Sequence, residues 1–475
     1  MTAKKLATLT MVVALMAALM VAAYAAAQEL TPKQQLGEFL YFDENLSSPA
    51  GQSCASCHDP NFGFVDPDTD LPVSQGVLTE RVGNRNSPSS AYAMYAPAFH
   101  LDEDEGLWIG GQFWDGRATG DVLGDPLADQ AIGPPLNNLE MNNPDKQTVI
   151  ETIRNAEYAS LFAQVWGEGS LNDVEAAYNQ MGLAIAAFER TPLFAPFNSR
   201  YDAYLKACLE LGGDMADCAQ GTDPQAEKAR TGILSDQEWQ GMQLFMGDNN
   251  NDGVLEEGEG ALCAGCHVAE WTEAGPDVVV PDWAPEGWVP PLFTDFSFDN
   301  LGVPKNPDNP FYHLPADLNP EGENFVDLGL GAALEAAGYG ADVSAPEMGK
   351  VKVMTLRNIG ITGPYMHNGF FQSLDDVVHF YSSRDVAAEA WPAPEVADNV
   401  NSDELGNLGL TTEAEAAIVA FMNTLTDSQA PAEVPETGGN GLPIHTVIVA
   451  LGGLVALGGL GLLLLSRRSS QSDPR

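Results

Sequence analysis

Positive charge is scarce in this chain. Lysine and arginine number 21 against 67 acidic residues, for a formal net charge of −46. Such a surface repels phosphate backbones, which excludes nucleic-acid binding. Strand patterns are also scarce, and the stretches between apolar segments are rich in Gly, Pro and Asn. That excludes a sheet-based fold and favours helices joined by long loops. Only six cysteines are present. Neither Cys pair has the second pair that a zinc ribbon needs, which excludes that metal site.

Four of the six cysteines are informative. Cys54-Ala55-Ser56-Cys57-His58 and Cys263-Ala264-Gly265-Cys266-His267 both read C-x-x-C-H. This is the attachment motif of c-type haem. The thiols form thioethers with the vinyl groups, and the adjacent histidine binds iron on one axial side. Two copies in one chain point to two covalently bound haems. His58 and His267 are then the first axial ligands. The remaining pair, Cys208 and Cys218, can close a local disulfide in an oxidising compartment.

Both ends carry apolar runs. Residues 1–27 combine Lys4 and Lys5, an apolar stretch and Ala25-Ala26-Ala27 before Gln28, the layout of a cleaved export signal. The stretch 444–465 is long enough to cross a hydrocarbon core of about 30 Å. Arg467 and Arg468 behind it place the tail 466–475 inside. The segment 428–443, rich in Pro and Gly, reads as a tether. Val434-Pro435-Glu436-Thr437-Gly438 resembles a sortase signal, but Val stands where the leading Leu belongs, so a plain membrane anchor is preferred. The reading is an exported protein on the periplasmic or cell-surface side, held to the cytoplasmic membrane by its C-terminal helix. The acidic surface then steers a basic electron-transfer partner, or reflects a saline or acidic habitat.

The rest divides into two mainly α-helical cytochrome c-like domains with long loops, 28–228 and 229–427, one haem motif in each. Helical periodicity is plain in Ala176–Arg190 and Glu413–Leu425. The halves echo each other weakly. Leu36-Gly37-Glu38-Phe39-Leu40-Tyr41-Phe42 precedes the first motif, and Gly241-Met242-Gln243-Leu244-Phe245 precedes the second.

Further motifs follow in order. They are Gln112-Phe113-Trp114-Asp115-Gly116-Arg117-Ala118, Gln130-Ala131-Ile132-Gly133-Pro134, Glu140-Met141, Thr355-Leu356-Arg357-Asn358, and Thr362-Gly363-Pro364-Tyr365-Met366-His367-Asn368-Gly369. Over about 30–427 the chain resembles the bacterial di-haem cytochrome c peroxidases, a family that includes the MauG-type enzymes. The resemblance implies roles position by position. Trp114 matches the aromatic residue between the haems, a relay for an electron or hole. Glu140 matches the acid–base group over the peroxide-binding face of the first haem, and Gln130 the polar side chain that holds peroxide or water there.

Two departures bear on the subtype. Peroxidases that need reductive activation carry a distal His sixteen residues after the first haem His. Here that position is Ser74, and no His lies between His58 and His100, which implies an open sixth site on the first iron. The second haem of those enzymes takes a Met fourteen residues after the His of Pro-Tyr-x-His. Here the position is Tyr381, as in MauG-type enzymes, and a tyrosinate there lowers the haem potential. Met354, Met366 and His379 are the competing ligands. A third position pulls the other way. The MauG-type enzyme that matures methylamine dehydrogenase has a Trp two residues before its second motif, and this chain has Ala261.

The resemblance also implies a calcium ion between the domains, held by Asn86, Thr362 and Pro364. Separately, Asp248–Glu259 fits the EF-hand loop pattern, with oxygen ligands from Asp248, Asn250, Asp252, the Val254 carbonyl and Glu259. Three functions follow as expectations. The first is peroxidase activity, with hydrogen peroxide reduced by electrons from a small cytochrome c or copper protein. The second is MauG-type oxidation of a protein or small substrate. The third is a membrane-tethered di-haem electron carrier, which would gain nothing from an open site.

Overall fold

The computed structural model describes residues 30–247, 261 and 263–428. The expected signal, the Asp248–Glu259 loop, the tether beyond 428 and the apolar stretch 444–465 lie outside these residues. Among the described residues no helix is long and apolar enough to cross a membrane.

The first half is built on two helices. Pro32–Phe42 starts with Pro at its first position and a capping box between Thr31 and Gln34, which satisfies its orphan N–H groups. Leu36, Leu40 and Tyr41 recur at helical spacing and are fully buried, so one face enters the core. That face packs on Val174–Glu189, the helix expected from the periodicity of 176–190. The axes approach so closely that a Cβ on Gly37 would collide with the Ala184 carbonyl. Gly37 is therefore a packing requirement: any side chain there forces the helices apart.

The second half repeats the device. Asp236–Met246 opens with a capping box between Ser235 and Glu238 and packs on Thr412–Asn423. Gly241 lies against the Ala417 carbonyl, again without room for a Cβ. The weak sequence echo thus marks a structural repeat: a glycine-notched helix pair beside each haem motif.

Two main apolar cores result. One runs from Leu36 to Phe197 and borrows Val289 and Leu292 from the second half. The other begins at Tyr201 and extends to Leu425. The helix Arg200–Glu210, assigned from sequence to the first domain, thus packs with the second core. The Cys208–Cys218 disulfide is formed, tying that helix to Met215–Gln220. Sheet structure among the described residues consists of two-stranded antiparallel ribbons. One of them pairs Phe298–Asp299 with Val351–Lys352.

Buried ion pairs join distant segments. Arg85 holds Asp327 through two nitrogens, at 2.6 and 2.7 Å, and Asp115 at 2.6 Å. Arg357 is fully buried and chelates Asp202 at 2.8 and 2.9 Å. Its guanidinium lies among the rings of Tyr92, Phe197, Tyr201 and Phe293. Removing either partner would strand a buried charge, at a cost of about 3–5 kcal/mol.

Candidate functional site

The first haem motif forms a single helical turn, Cys54–Cys57, capped at Ser53. One turn places both sulfurs on the same side of His58. His58 Nδ1 lies 3.1 Å from the Phe64 carbonyl. That contact fixes the tautomer with Nδ1 protonated and leaves Nε2 as the metal-binding nitrogen. The second motif repeats this geometry, with His267 Nδ1 3.0 Å from the Phe293 carbonyl. Burial lowers both imidazoles' affinity for a proton, as a neutral metal ligand requires.

Burial pushes Cys57, Cys263 and Cys266 up to about 12, which argues against a thiolate nucleophile or redox pair. Beside the first motif, Gln52 Oε1 and Glu189 Oε2 are buried without a protein hydrogen-bond partner. Buried polar atoms are normally satisfied. A cradle of orphaned polar atoms beside two thiols and an oriented His fits a covalently held haem with polar substituents.

Ser74, the residue in place of the distal His, lies beside Cys57. Glu140 also faces this motif, close enough to raise the proton affinity of both Cys54 and Cys57. Its Oε1 accepts from Asn137 Nδ2 at 2.5 Å, and its backbone oxygen accepts from Val77 N at 2.9 Å. Burial raises the Glu140 carboxyl above the usual range, opposed by the Arg117 charge and the Asn137 hydrogen bond. A buried carboxyl whose proton affinity is raised is suited to take up a proton and return it. Gln130 lies near the end of the Pro126–Ala131 helix, and the Pro134–Leu136 turn leads from there to Glu140. Gly133 between them touches the Phe113 ring. Arg117 stacks on that ring at 3.8 Å.

Trp114 lies at the junction of the halves. Its indole N–H donates to the Asn86 carbonyl at 2.9 Å, and its carbonyl accepts from Lys352 N at 2.8 Å. Its ring meets His367 edge-on at 6.4 Å. Asn86, Thr362 and Pro364 line one small cavity with Trp114, Met354 and Met366. The three residues suggested for calcium are thus brought together at one place, although Asn86 is far in sequence from Thr362 and Pro364. Their carbonyl and amide oxygens suit a hard cation. The second loop, Asp248–Glu259, lies outside the described residues.

Tyr381 is carried by the Leu374–Ser383 helix. Burial raises its phenol well above the ordinary value, and Cys266 and Cys263 next to it act in the same direction. Tyr381 therefore faces the second haem motif as a neutral phenol that only a metal would deprotonate. His379, a competing ligand, points elsewhere: Nδ1 is 3.2 Å from Glu415 and Nε2 3.5 Å from Glu389. Both carboxylates raise its proton affinity.

Sequence reasoning missed the charged cluster behind Trp114. Asp115 is held by Arg85 and Arg117, at 2.6 and 2.8 Å, and their charges hold its carboxyl below the usual range despite burial. Lys352 is buried against the Gly111 carbonyl, and burial pushes its ammonium down to about 7. Asp115 and Arg117 in Trp114-Asp115-Gly116-Arg117 are the available signal, but Arg85 lies 30 residues away and Lys352 comes from the other half.

Two C-x-x-C-H turns with oriented histidines, a buried carboxyl beside the first and a tryptophan at the junction of the halves are the features of a di-haem oxidoreductase. A model of the family described as di-haem cytochrome c peroxidase matches residues 31–208. The methylamine utilization protein MauG of Paracoccus denitrificans is 33% identical over 82% of this chain and 88% of its own. The cytochrome c551 peroxidase of Pseudomonas aeruginosa is 25% identical over 85% and 81%. The solved diheme peroxidase BthA of Burkholderia thailandensis superposes with a TM-score of 0.63 at 28% identity, over 87% of this chain and 92% of that one. The chain belongs to the bacterial di-haem cytochrome c peroxidase family, which includes the MauG-type proteins. It is an oxidoreductase, and its family implies two haem c groups.

Proposed function

We propose that the protein reduces hydrogen peroxide at the Cys54–His58 haem, with electrons from a small cytochrome c or copper protein entering at the Cys263–His267 haem. The observation that carries this reading is Glu140, a carboxyl held protonatable by burial, beside a motif where Ser74 replaces a potential iron ligand. Bound haem supplies the iron at which the O–O bond breaks. The protein residues handle protons and position. Glu140 takes the proton from the near peroxide oxygen and returns it to the leaving oxygen, and Asn137 fixes the carboxyl's orientation. Gln130 hydrogen-bonds the incoming peroxide. Trp114, anchored by its N–H to Asn86, carries electrons between the halves. Relatives named as peroxidases support the reading at about a quarter identity.

A specific observation favours a second reading, MauG-type oxidation of a protein or small substrate. Tyr381 lies near the thiols of the second motif, and its phenolate, holding the iron of a bound haem, would favour the more oxidised state over the reduced one. Ala261 argues against the particular protein oxidation that matures methylamine dehydrogenase. Stopped-flow spectroscopy of the ferric protein with peroxide, with and without reduced cytochrome, separates the readings. A peroxidase turns over with the cytochrome. An oxidase holds both oxidising equivalents for seconds or longer and returns them slowly.

Calcium at Asn86, Thr362 and Pro364 locks the halves around Trp114 in both readings. The Asp248–Glu259 loop is a second calcium site in this proposal. Export, and anchoring through 444–465, place the haems outside the cytoplasm, where C-x-x-C-H thiols acquire haem.

A further inference from the structure

A run of packed aromatic rings leads from beside the segment that carries Trp114 to the surface. The ribbon His100–Asp102 with Leu107–Ile109 sets Trp108 opposite Leu101. Trp108 stacks on Phe99, nearly parallel, with centroids 4.9 Å apart. Its outer edge meets Tyr339 at 5.4 Å. Trp108 is buried, whereas Tyr339 is 45% exposed.

On the inner side, Phe99 meets Phe298 edge-on at 5.9 Å. Gly116, two residues from Trp114, lies directly against both rings, so a Cβ there would collide with them. Its φ of +72° also suits glycine. Phe298 is the ribbon partner of Lys352, whose N–H donates to the Trp114 carbonyl at 2.8 Å. Indole and phenol are the side chains here that give up an electron at accessible potentials. The two phenylalanines resist oxidation and fill the space between Trp108 and Gly116, two residues from Trp114.

We propose that Tyr339, backed by Trp108, is a surface oxidation site for small phenols and aromatic amines without negative charge. The inference rests on the peroxidase reading above, which supplies the oxidant. The surroundings fit such a substrate. Leu101, paired across the ribbon with Trp108, is exposed on the same face, giving an apolar seat. The hairpin turn carries Asp102, Glu103, Asp104 and Glu105, an acidic rim that repels anions and attracts cationic amines.

The chemistry balances. Tyr339 sends one electron inward through Trp108 and loses its phenolic proton to water, becoming a neutral phenoxyl radical. A bound phenol then donates one hydrogen atom, restoring Tyr339 and leaving as its own phenoxyl. Two phenols are oxidised for each hydrogen peroxide reduced to two waters, and the protons released are those the peroxide oxygens take up.

The test uses the di-haem holoenzyme as wild type, Tyr339→Phe and Trp108→Phe. Peroxide is added without donor in the presence of a nitroso spin trap, and labelled peptides are mapped by mass spectrometry. The adduct is expected on Tyr339 and absent from Tyr339→Phe. With 2-methoxyphenol as donor, the steady-state rate should fall at least tenfold in both variants, whereas oxidation of reduced cytochrome continues at the wild-type rate. Para-hydroxybenzoate, the anionic probe, should be the slower substrate of the wild type. An unlabelled Tyr339 in wild type, or a Tyr339→Phe enzyme that oxidises 2-methoxyphenol at the wild-type rate, overturns this inference alone. A wild type that leaves peroxide unconsumed with every donor overturns the peroxidase reading as well.

Discussion

Trp114 and Asn86 are joined by one hydrogen bond, indole N–H to backbone carbonyl, at 2.9 Å. It couples the proposed electron relay to the proposed calcium site, because the Asn86 side chain lines the same cavity as Thr362 and Pro364. Whatever pulls on Asn86 moves the indole.

Calcium removal should therefore be felt at Trp114. Chelation is expected to change the tryptophan emission of the wild type, and Trp114→Phe should lose most of that change. Asn86→Ala should weaken the calcium-dependent rise in Tm without altering haem content. Emission that ignores chelation in the wild type would separate the relay from any ion.

Glu140→Gln keeps the hydrogen bond from Asn137 in shape but cannot move a proton. Peroxide-dependent turnover should fall by about 10²–10⁴-fold, the usual contribution of a general acid–base group. The haem spectrum of the resting protein should be unchanged. Turnover at the wild-type rate would remove Glu140 from the mechanism.

The parts read most directly from sequence are those with local spacing. The C-x-x-C-H turns, the helix of 176–190, the helix of 413–425 and the Cys208–Cys218 pair each follow from neighbours within a few residues. Tyr381 is singled out by the family resemblance, and it lies near Cys263 and Cys266. What stays hidden is long-range. Arg85 reaches Asp327 across 242 residues, and no periodicity announces such a pair. The stretch from Tyr201 to Ala229 packs with the second core, although from sequence the first domain is expected to end at 228. The notches at Gly37 and Gly241 are present in the sequence echo, but their cause, contact with Ala184 and Ala417, emerges only from the helix pairs themselves.

Tyr381 should decide the character of the second haem. Tyr381→Met is expected to raise its reduction potential, because a neutral thioether favours reduced iron more than an anionic phenolate does. Tyr381→Phe should convert that haem to an open or water-bound state, visible as a high-spin signal. Low-spin spectra unchanged in both variants would transfer the ligand role to Met354 or Met366, since His379 is engaged by Glu415 and Glu389.

Lys352 gives a stability prediction with a definite sign. Burial lowers its affinity for a proton from the ordinary lysine range near 10.5 to about 7. Between those values the unfolded chain binds the proton and the folded chain does not, so stability rises with pH across the window. Below pH 7 the full cost of burying the charge is present. A tenfold change in proton affinity corresponds to about 1.4 kcal/mol, so the gain from pH 7 to 10 is at most a few kcal/mol. Urea denaturation of Lys352→Met at several pH values should lack this rise. Parallel curves for variant and wild type would show that the ammonium is solvated in solution.

The most direct test of the proposed mechanism is electron paramagnetic resonance of the resting ferric holoenzyme, followed by addition of peroxide without any reductant. With Ser74 beside Cys57 and no distal His, the first haem should show a high-spin ferric signal that disappears within the mixing time of peroxide. The second haem should be low-spin. Two low-spin signals that persist until the protein is half-reduced would mean that another residue closes the first iron, and that the open peroxide site argued from Ser74 and Glu140 does not exist.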